Sequence, residues 1–330
     1  MKIYFVGRLT DTFVYNDYKI LNKYFDVDII QPLERRKDWL KYPSLVKKSV
    51  KQCDVVFGWF ASWFTLPAVY YAKKYGKKSI IVVGGYDAAY EPKIRYGAFT
   101  NLKERLPAKY ILKNADILLA VSNFTKNEVL KHVKPKQIEV VYNGVDTCIS
   151  EPIQKKENTI VTVSPVTEKG IYLKGLKTFA EVSTYFPDYN FVIIGPKEKS
   201  ITDKLKKINP NLIFTGQIEH EKVFEWLRSA KVYCQLSYIE SFGLSVAEAM
   251  SYGCIPVVTN RGALSEVVGD IGLYVSYGDE KGTADAIKEA LKATDDLRKK
   301  ARERIKKKFS IETREKKLLK IIENTTKKLK

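Results

Sequence analysis

The chain is poor in the residues that build metal and disulfide frameworks: two histidines, two methionines and four cysteines in 330 residues. With His132 and His220 alone, a histidine-rich metal centre is excluded. Cys53, Cys148, Cys234 and Cys254 lie far apart and form no C-x-x-C pair, which points to reduced thiols and away from a disulfide framework or zinc site. No stretch reaches the ~20 apolar residues of a membrane-spanning helix. The opening MKIYFVGRLTDTF lacks the apolar core and cleavage site of a secretory leader. These absences lead to the expectation of a cytoplasmic protein. There is no RGG run, zinc finger or aromatic basic motif, so no nucleic-acid partner is expected.

What is present is ordinary for a folded protein: 45% hydrophobic and 29% charged residues. The length suits two domains of roughly 100–200 residues each. A net charge of +19, spread over both halves, favours anionic partners, whether nucleic acid, an acidic membrane surface or phosphorylated small molecules, and does not by itself choose among them.

Short β-branched runs alternate with helical periodicity from the first residues: KIYFVG, a helix from Asn16 to Tyr24, VDII, CDVVFGWF, a helix from Ala68 to Tyr75, SIIVVGG, ADILLAVS, a helix from Asn123 to His132, and IEVVYNG. This is the rhythm of a parallel sheet covered on both faces. The polar stretch between Asp146 and Asn158 reads as a linker. The rhythm restarts at TIVTVSP and runs through NFVIIG, LIFTG, VYCQLS and IPVVTN, with helices between them. The α/β fold class is therefore two doubly wound Rossmann-like domains, residues 1–150 and 151–310. The tail from Asp295 is helical in pattern. Ligands of such sheets bind at the carboxyl ends of the strands.

The most informative segment is Glu240-Ser-Phe-Gly-Leu-Ser-Val-Ala-Glu248, where a strand ends, a glycine turn follows and a helix begins. Free backbone N–H groups from Phe242 to Ser245 at such a helix start suit a phosphate. Glu240 falls in the loop and Glu248 about two turns into the helix. A carboxylate accepts two hydroxyl hydrogen bonds, which fits the vicinal diols of a sugar.

This segment, with the AEAMSYGCIPVVTN that continues it, resembles the retaining glycosyltransferases of family 4, whose mark is a glutamate pair enclosing seven residues in E-x-F-G-L-x-x-x-E-A-M-x-x-G-x-P-V-V. The resemblance extends to Leu119–Lys126, to Tyr142-Asn143-Gly144-Val145-Asp146 and to Gly262–Val275. It implies the GT-B fold, two Rossmann-like domains facing across a crevice with the C-terminal helix, 311–330, packing back on the first domain, and transfer of a sugar from a nucleotide diphosphate sugar to an acceptor hydroxyl without a required metal or cofactor. Donor roles are implied for Glu248 at the ribose, Glu240 at hydroxyls of the transferred sugar, and the backbone of Phe242, Gly243 and Leu244 at the diphosphate. Lys174, in a K-G doublet after the first strand of the second domain, would bind phosphate. The family's accompanying arginine is missing, and Lys169 either supplies that charge or is simply solvated. Gly7 resembles the glycine that approaches the donor diphosphate.

In the first domain Asp87 follows a Gly-Gly pair and either aims a carboxylate at the sugar or closes a turn. Asp26-Val27-Asp28, formally D-x-D, enters a strand and reads as structural; both histidines read as solvent-facing. The basic, aromatic stretch from Arg95 to Pro107 is either an exposed loop or a peripheral contact with an anionic membrane carrying a lipid-linked acceptor. Two alternatives stand beside transfer: a nucleotide-sugar epimerase on the same fold, and a non-catalytic sugar-nucleotide binding protein.

Overall fold

The computed structural model describes residues 1–31, 39–147 and 156–327. Cys148 and most of the expected linker lie outside them. The chain divides into two compact units, Met1–Gly144 with Ile311–Lys330, and Val145–Ser310.

The first unit contains β1 (Lys2–Val6), α1 (Thr12–Tyr24), β2 (Asp26–Ile30), α2 (Tyr42–Gln52), β3 (Val55–Trp59), α3 (Leu66–Lys74), β4 (Lys78–Val83), α4 (Leu102–Asn114), β5 (Ile117–Ala120), α5 (Asn123–His132) and β6 (Ile138–Val140). Its six strands pair in parallel in the order β2-β1-β3-β4-β5-β6. The Val, Ile and Leu runs of β3, β4 and β5 are buried throughout their apolar positions, because helices cover both faces of a parallel sheet.

The second unit contains β7 (Glu157–Val163), α6 (Glu168–Leu173), α7 (Leu176–Ser183), β8 (Asn190–Ile194), α8 (Lys199–Lys206), β9 (Ile213–Gly216), α9 (His220–Ser229), β10 (Ala230–Gln235), α10 (Leu244–Ser251), β11 (Ile255–Thr259), α11 (Leu264–Val268), β12 (Leu273–Val275), α12 (Glu280–Leu291) and α13 (Asp295–Phe309). Its sheet order is β12-β11-β10-β7-β8-β9. Strands β7 to β9 build outward one way and β10 to β12 the other, so the strand order reverses between β7 and β10. The loops at the carboxyl ends of those two strands carry the Lys174 and Glu240 motifs, as expected at a topological switch point.

The final helix, α14 (Ile311–Lys327), groups with the first unit. Its Arg314 grips the buried Asp17 of α1 through two hydrogen bonds of 2.6 and 2.7 Å and donates to the carbonyls of Val141 and Tyr142 at 2.9 and 2.8 Å. The helical tail is not continuous: α13 ends at Phe309, and Ser310, with an extended backbone (φ −71°, ψ 156°), separates it from α14. The division between the compact units falls after Gly144, where the sequence led to 150. Val145 already belongs to the second unit, because its N–H donates to the Phe309 carbonyl at 2.8 Å and it bridges Ser310 in parallel. The Arg95–Pro107 stretch is not a plain loop: it passes through a 3-10 turn at Ala98–Thr100 into α4, capped by Asn101 accepting from the Lys103 N–H. Asp26-Val27-Asp28 lies in β2, paired with Lys2-Ile3-Tyr4 of β1.

Candidate active site

In the second unit Gly243 caps α10 with φ +91°, and the helix begins at Leu244. Phe242 is buried with its ring edge-on to Phe309 of α13 (centroids 5.7 Å apart), which anchors the turn. Two glycines set the positions of the flanking loops. Gly175 has φ +66°, and a Cβ there would lie 2.1 Å from the Leu236 carbonyl, so the K-G doublet needs glycine for the loop after α6 to meet the end of β10. Gly262 has φ +63°, and its Cβ would lie 2.1 Å from the Glu240 carbonyl; that same carbonyl accepts the Ala263 N–H at 2.8 Å. Glu240 is thus held by backbone on backbone.

The Glu240 carboxylate accepts from Lys174 Nζ at 2.7 Å and from Gln235 Nε2 at 3.3 Å through the same oxygen. Both side chains are largely buried, so the pair is shielded from salt. Gln235 is itself oriented: it accepts from the Tyr233 hydroxyl at 2.8 Å and donates to Ser237 Oγ at 2.7 Å. Sequence reasoning misses this relay from β10, whose residues form no motif of their own.

Glu248 lies on α10 with its carboxylate 3.5 Å from His220 Nε2 at the start of α9. The hydrogen bond to Glu248 raises the His220 pKa above its ordinary value, with burial opposing. His220 also packs on Phe224, which packs on Tyr252. It therefore faces the site and not simply the solvent. His132 departs from the expectation too: its ring lies on Phe99 at 3.6 Å, its Nε2 is 3.0 Å from the Ala88 carbonyl, and burial lowers its pKa.

Lys174 and Lys169 part company. Lys174 ends α6, its N–H bonded to the Gly170 carbonyl. Lys169 sits in the first turn, exposed, and five residues along a helix turn it about 140° from Lys174. A guanidinium stands elsewhere near the motif: Arg261, after β11, lies 3.9 Å over the ring of Tyr238 in the loop that leads to Glu240.

The first unit holds Gly7 and Asp87. Gly7 follows β1, where a Cβ would come within 2.7 Å of Val14 Cγ1, so the approach of α1 demands a glycine. Asp87 is 3% exposed, and its two oxygens accept from the Gly85 and Ala61 N–H groups, both at 2.8 Å. Burial raises its pKa and those bonds lower it. The carboxylate ties the loops after β3 and β4 together and lines a cavity of about 570 Å³ with Arg8, Asp11, Ser62 and Tyr86. Phe60 at that cavity has φ +67°, a costly conformation for a side chain of this size. Among the described residues no three His, Cys, Asp or Glu side chains cluster as metal ligands.

The two units with their switch-point loops define the GT-B class of glycosyltransferase folds. Solved structures share it along nearly the whole chain. Sucrose-phosphate synthase from Thermosynechococcus elongatus superposes with a TM-score of 0.78 at 16% identity over 99% of both chains. Anabaena HepE, solved in complex with UDP and glucose, superposes with a TM-score of 0.78 at 13% identity over 98% of this chain and 100% of that one. The family model for glycosyl transferases group 1 matches residues 149–308, and that for Glycosyltransferase Family 4 matches 17–148. The chain belongs to this group 1, family 4 glycosyltransferase family. It is 28% identical over 202 residues to N-acetyl-alpha-D-glucosaminyl L-malate synthase of Bacillus anthracis, covering 56% of this chain and 52% of the relative. It is 24% identical over 211 residues to the GPI3 subunit of phosphatidylinositol N-acetylglucosaminyltransferase of Saccharomyces cerevisiae, covering 58% and 46%. The chain spans about half the length of the curated relatives it matches.

Proposed function

We propose that the protein is a retaining, metal-independent glycosyltransferase that moves a sugar from a nucleotide diphosphate sugar to an acceptor hydroxyl in glycan or glycolipid synthesis. The observation that carries this reading is the arrangement around α10: a shielded Lys174–Glu240 pair on one side of the helix start and the Glu248 carboxylate about one turn along it. The ribose hydroxyls are bound by Glu248, and the diphosphate by the first N–H groups of α10 and by Lys174. As the donor enters, Lys174 turns from Glu240 to phosphate and frees the carboxylate for sugar hydroxyls. The bond between anomeric carbon and phosphate oxygen breaks, the acceptor oxygen bonds to the same face of that carbon, and the acceptor proton passes to the departing phosphate oxygen. Lys174 and the helix dipole stabilise the charge that grows on the leaving diphosphate. No protein nucleophile takes part. The complex of Anabaena HepE with UDP and glucose supports a nucleotide-sugar donor.

The test is transfer from UDP-, GDP- and ADP-sugars to a panel of hydroxyl acceptors with and without EDTA, the product anomer read by proton NMR. The reading predicts the donor's own anomeric configuration in the product and no loss with EDTA. An inverted product overturns the retaining mechanism, loss with EDTA overturns metal independence, and conversion of the donor sugar without acceptor identifies an epimerase.

A further inference from the structure

The first unit exposes more aromatic surface than its fold requires. Between α2, α3 and α4 runs an open groove of about 520 Å³, lined by Trp39, Tyr42, Trp63, Leu66, Tyr70 and Tyr110. Its walls are almost wholly apolar, since the Tyr42 hydroxyl turns inward to the Phe64 carbonyl at 2.8 Å. Trp63 is 51% exposed, and Leu102 and Leu106 of α4 are each 59% exposed. Side chains of this size grouped on one face mark an interaction surface.

Charge says what the surface meets. At 100° per residue, Leu102, Arg105, Leu106, Lys109 and Lys113 fall within about a 100° arc of α4. Arg105, Lys109 and Lys113 follow one another at i, i+4, a spacing at which like charges destabilise a helix. All three are exposed, and none is within ion-pair distance of an acid among the described residues. Leucines between unpaired cations on one helix face match the interface of an anionic bilayer, with hydrocarbon below and phosphate above. A second copy of a chain with net charge +19 would meet the row with repulsion.

The groove is also continuous with the cavity beside Asp87 at the ends of β1, β3 and β4, because Trp39, Trp63 and Pro107 line both. In that cavity the Ser62 hydroxyl oxygen is buried without a hydrogen-bond partner. One concave path therefore leads from an unsatisfied polar group to an apolar slot opening beside the cationic face of α4.

We propose that this path holds a lipid-linked acceptor drawn from an anionic membrane, the hydrocarbon chain in the groove and the hydroxyl-bearing headgroup in the cavity at Ser62. The inference rests on the transferase reading for its acceptor, and on the groove alone for its docking surface. The full chain is sedimented with vesicles of phosphatidylcholine alone and of an equal mixture with phosphatidylglycerol, the latter also with brominated acyl chains. Wild type pellets with the mixed vesicles and not with phosphatidylcholine, release increases with salt, and bromine quenches the emission that Trp63→Phe removes. The Arg105→Glu, Lys109→Glu double variant no longer pellets, and Leu106→Ser weakens pelleting, while nucleotide-induced thermal stabilisation stays at the wild-type value in both.

Absence of pelleting, equal pelleting of the charge-reversed variant, or concentration-dependent dimerisation without vesicle binding overturns the docking surface. Pelleting without bromine quenching overturns the hydrocarbon groove. Vesicle binding without stabilisation by any nucleotide sinks the transferase reading and with it the acceptor, leaving an anionic-lipid docking surface.

Discussion

Arg314→Met tests what holds α14 to the first unit. Arg314 and Asp17 are 3% and 0% exposed, and four hydrogen bonds leave the guanidinium, two to the Asp17 carboxylate and two to the carbonyls of Val141 and Tyr142. Methionine keeps much of the volume and removes all four. Asp17 is then left charged in the interior with only the Trp59 indole N–H at 2.9 Å. Breaking a buried pair in this way costs about 3–5 kcal/mol, a large part of the roughly 5–15 kcal/mol that holds a typical domain folded. Urea unfolding followed by circular dichroism, with hydrogen exchange over 311–327, reads the loss and its place. Adding Asp17→Leu to the same chain removes the stranded charge and restores most of the stability, since apolar replacement of a buried pair is close to neutral. A loss below about 1 kcal/mol, the scale of a surface ion pair, or an undiminished loss in the double variant, refutes the reasoning.

The two histidines should titrate apart by NMR. His220 moves above 6.5, because its protonated form bonds Glu248, and His132 moves below 6.5 by burial. The contribution of the His220–Glu248 contact is complete below about 6.5 and is lost as pH rises through the raised folded value; Glu248→Gln returns His220 toward 6.5, and a shared midpoint contradicts the geometry. Gly175→Ala forces a Cβ against the Leu236 carbonyl and lowers the melting temperature and donor binding together; an unaltered variant contradicts the close approach. Lys174→Met should slow transfer about a hundredfold, the scale of losing one charge-stabilising donor, with initial rates as the readout; a rate within twofold refutes the phosphate role.

The strands and the motif-bearing loops were legible because parallel strands buried on both faces are written as unbroken Val, Ile and Leu runs such as SIIVVGG and ADILLAVS. The helix Asn123–His132 was legible to the residue, since Ser122 caps it by accepting from the Thr125 N–H. Helix α4 was not: its exposed Leu102 and Leu106 and its interior Pro107 obscure the period carried by the buried Ala108, Ile111 and Leu112. The helix break at Ser310 falls at the 310/311 division expected from the sequence, although helical periodicity resumes at once in α14. In the site, the glutamate motif announced itself through its spacing. The partners of those glutamates did not: His220 stands 28 residues from Glu248, and Lys174 66 residues from Glu240, distances that only the sheet topology closes. The Asp17–Arg314 pair, 297 residues apart, left no local trace for the same reason. For Asp87 the residue was visible and its partners were not. The turn-closing bonds to Gly85 and Ala61 appear only with the loops in place.

The most direct measurement of the central claim is a thermal-shift and calorimetric titration of UDP, GDP, ADP and their common sugar conjugates against wild type and Glu248→Ala, each with and without Mg²⁺. A ligand of the native state raises the melting temperature by an amount that grows with the logarithm of its concentration over Kd. The account predicts a shift with one nucleotide class, unaltered by Mg²⁺. In Glu248→Ala the loss of charged hydrogen bonds to the ribose, about 1.5–3 kcal/mol each, weakens binding by about tenfold or more. Equal affinity in the variant, or no shift with any nucleotide, contradicts the donor site assigned to α10.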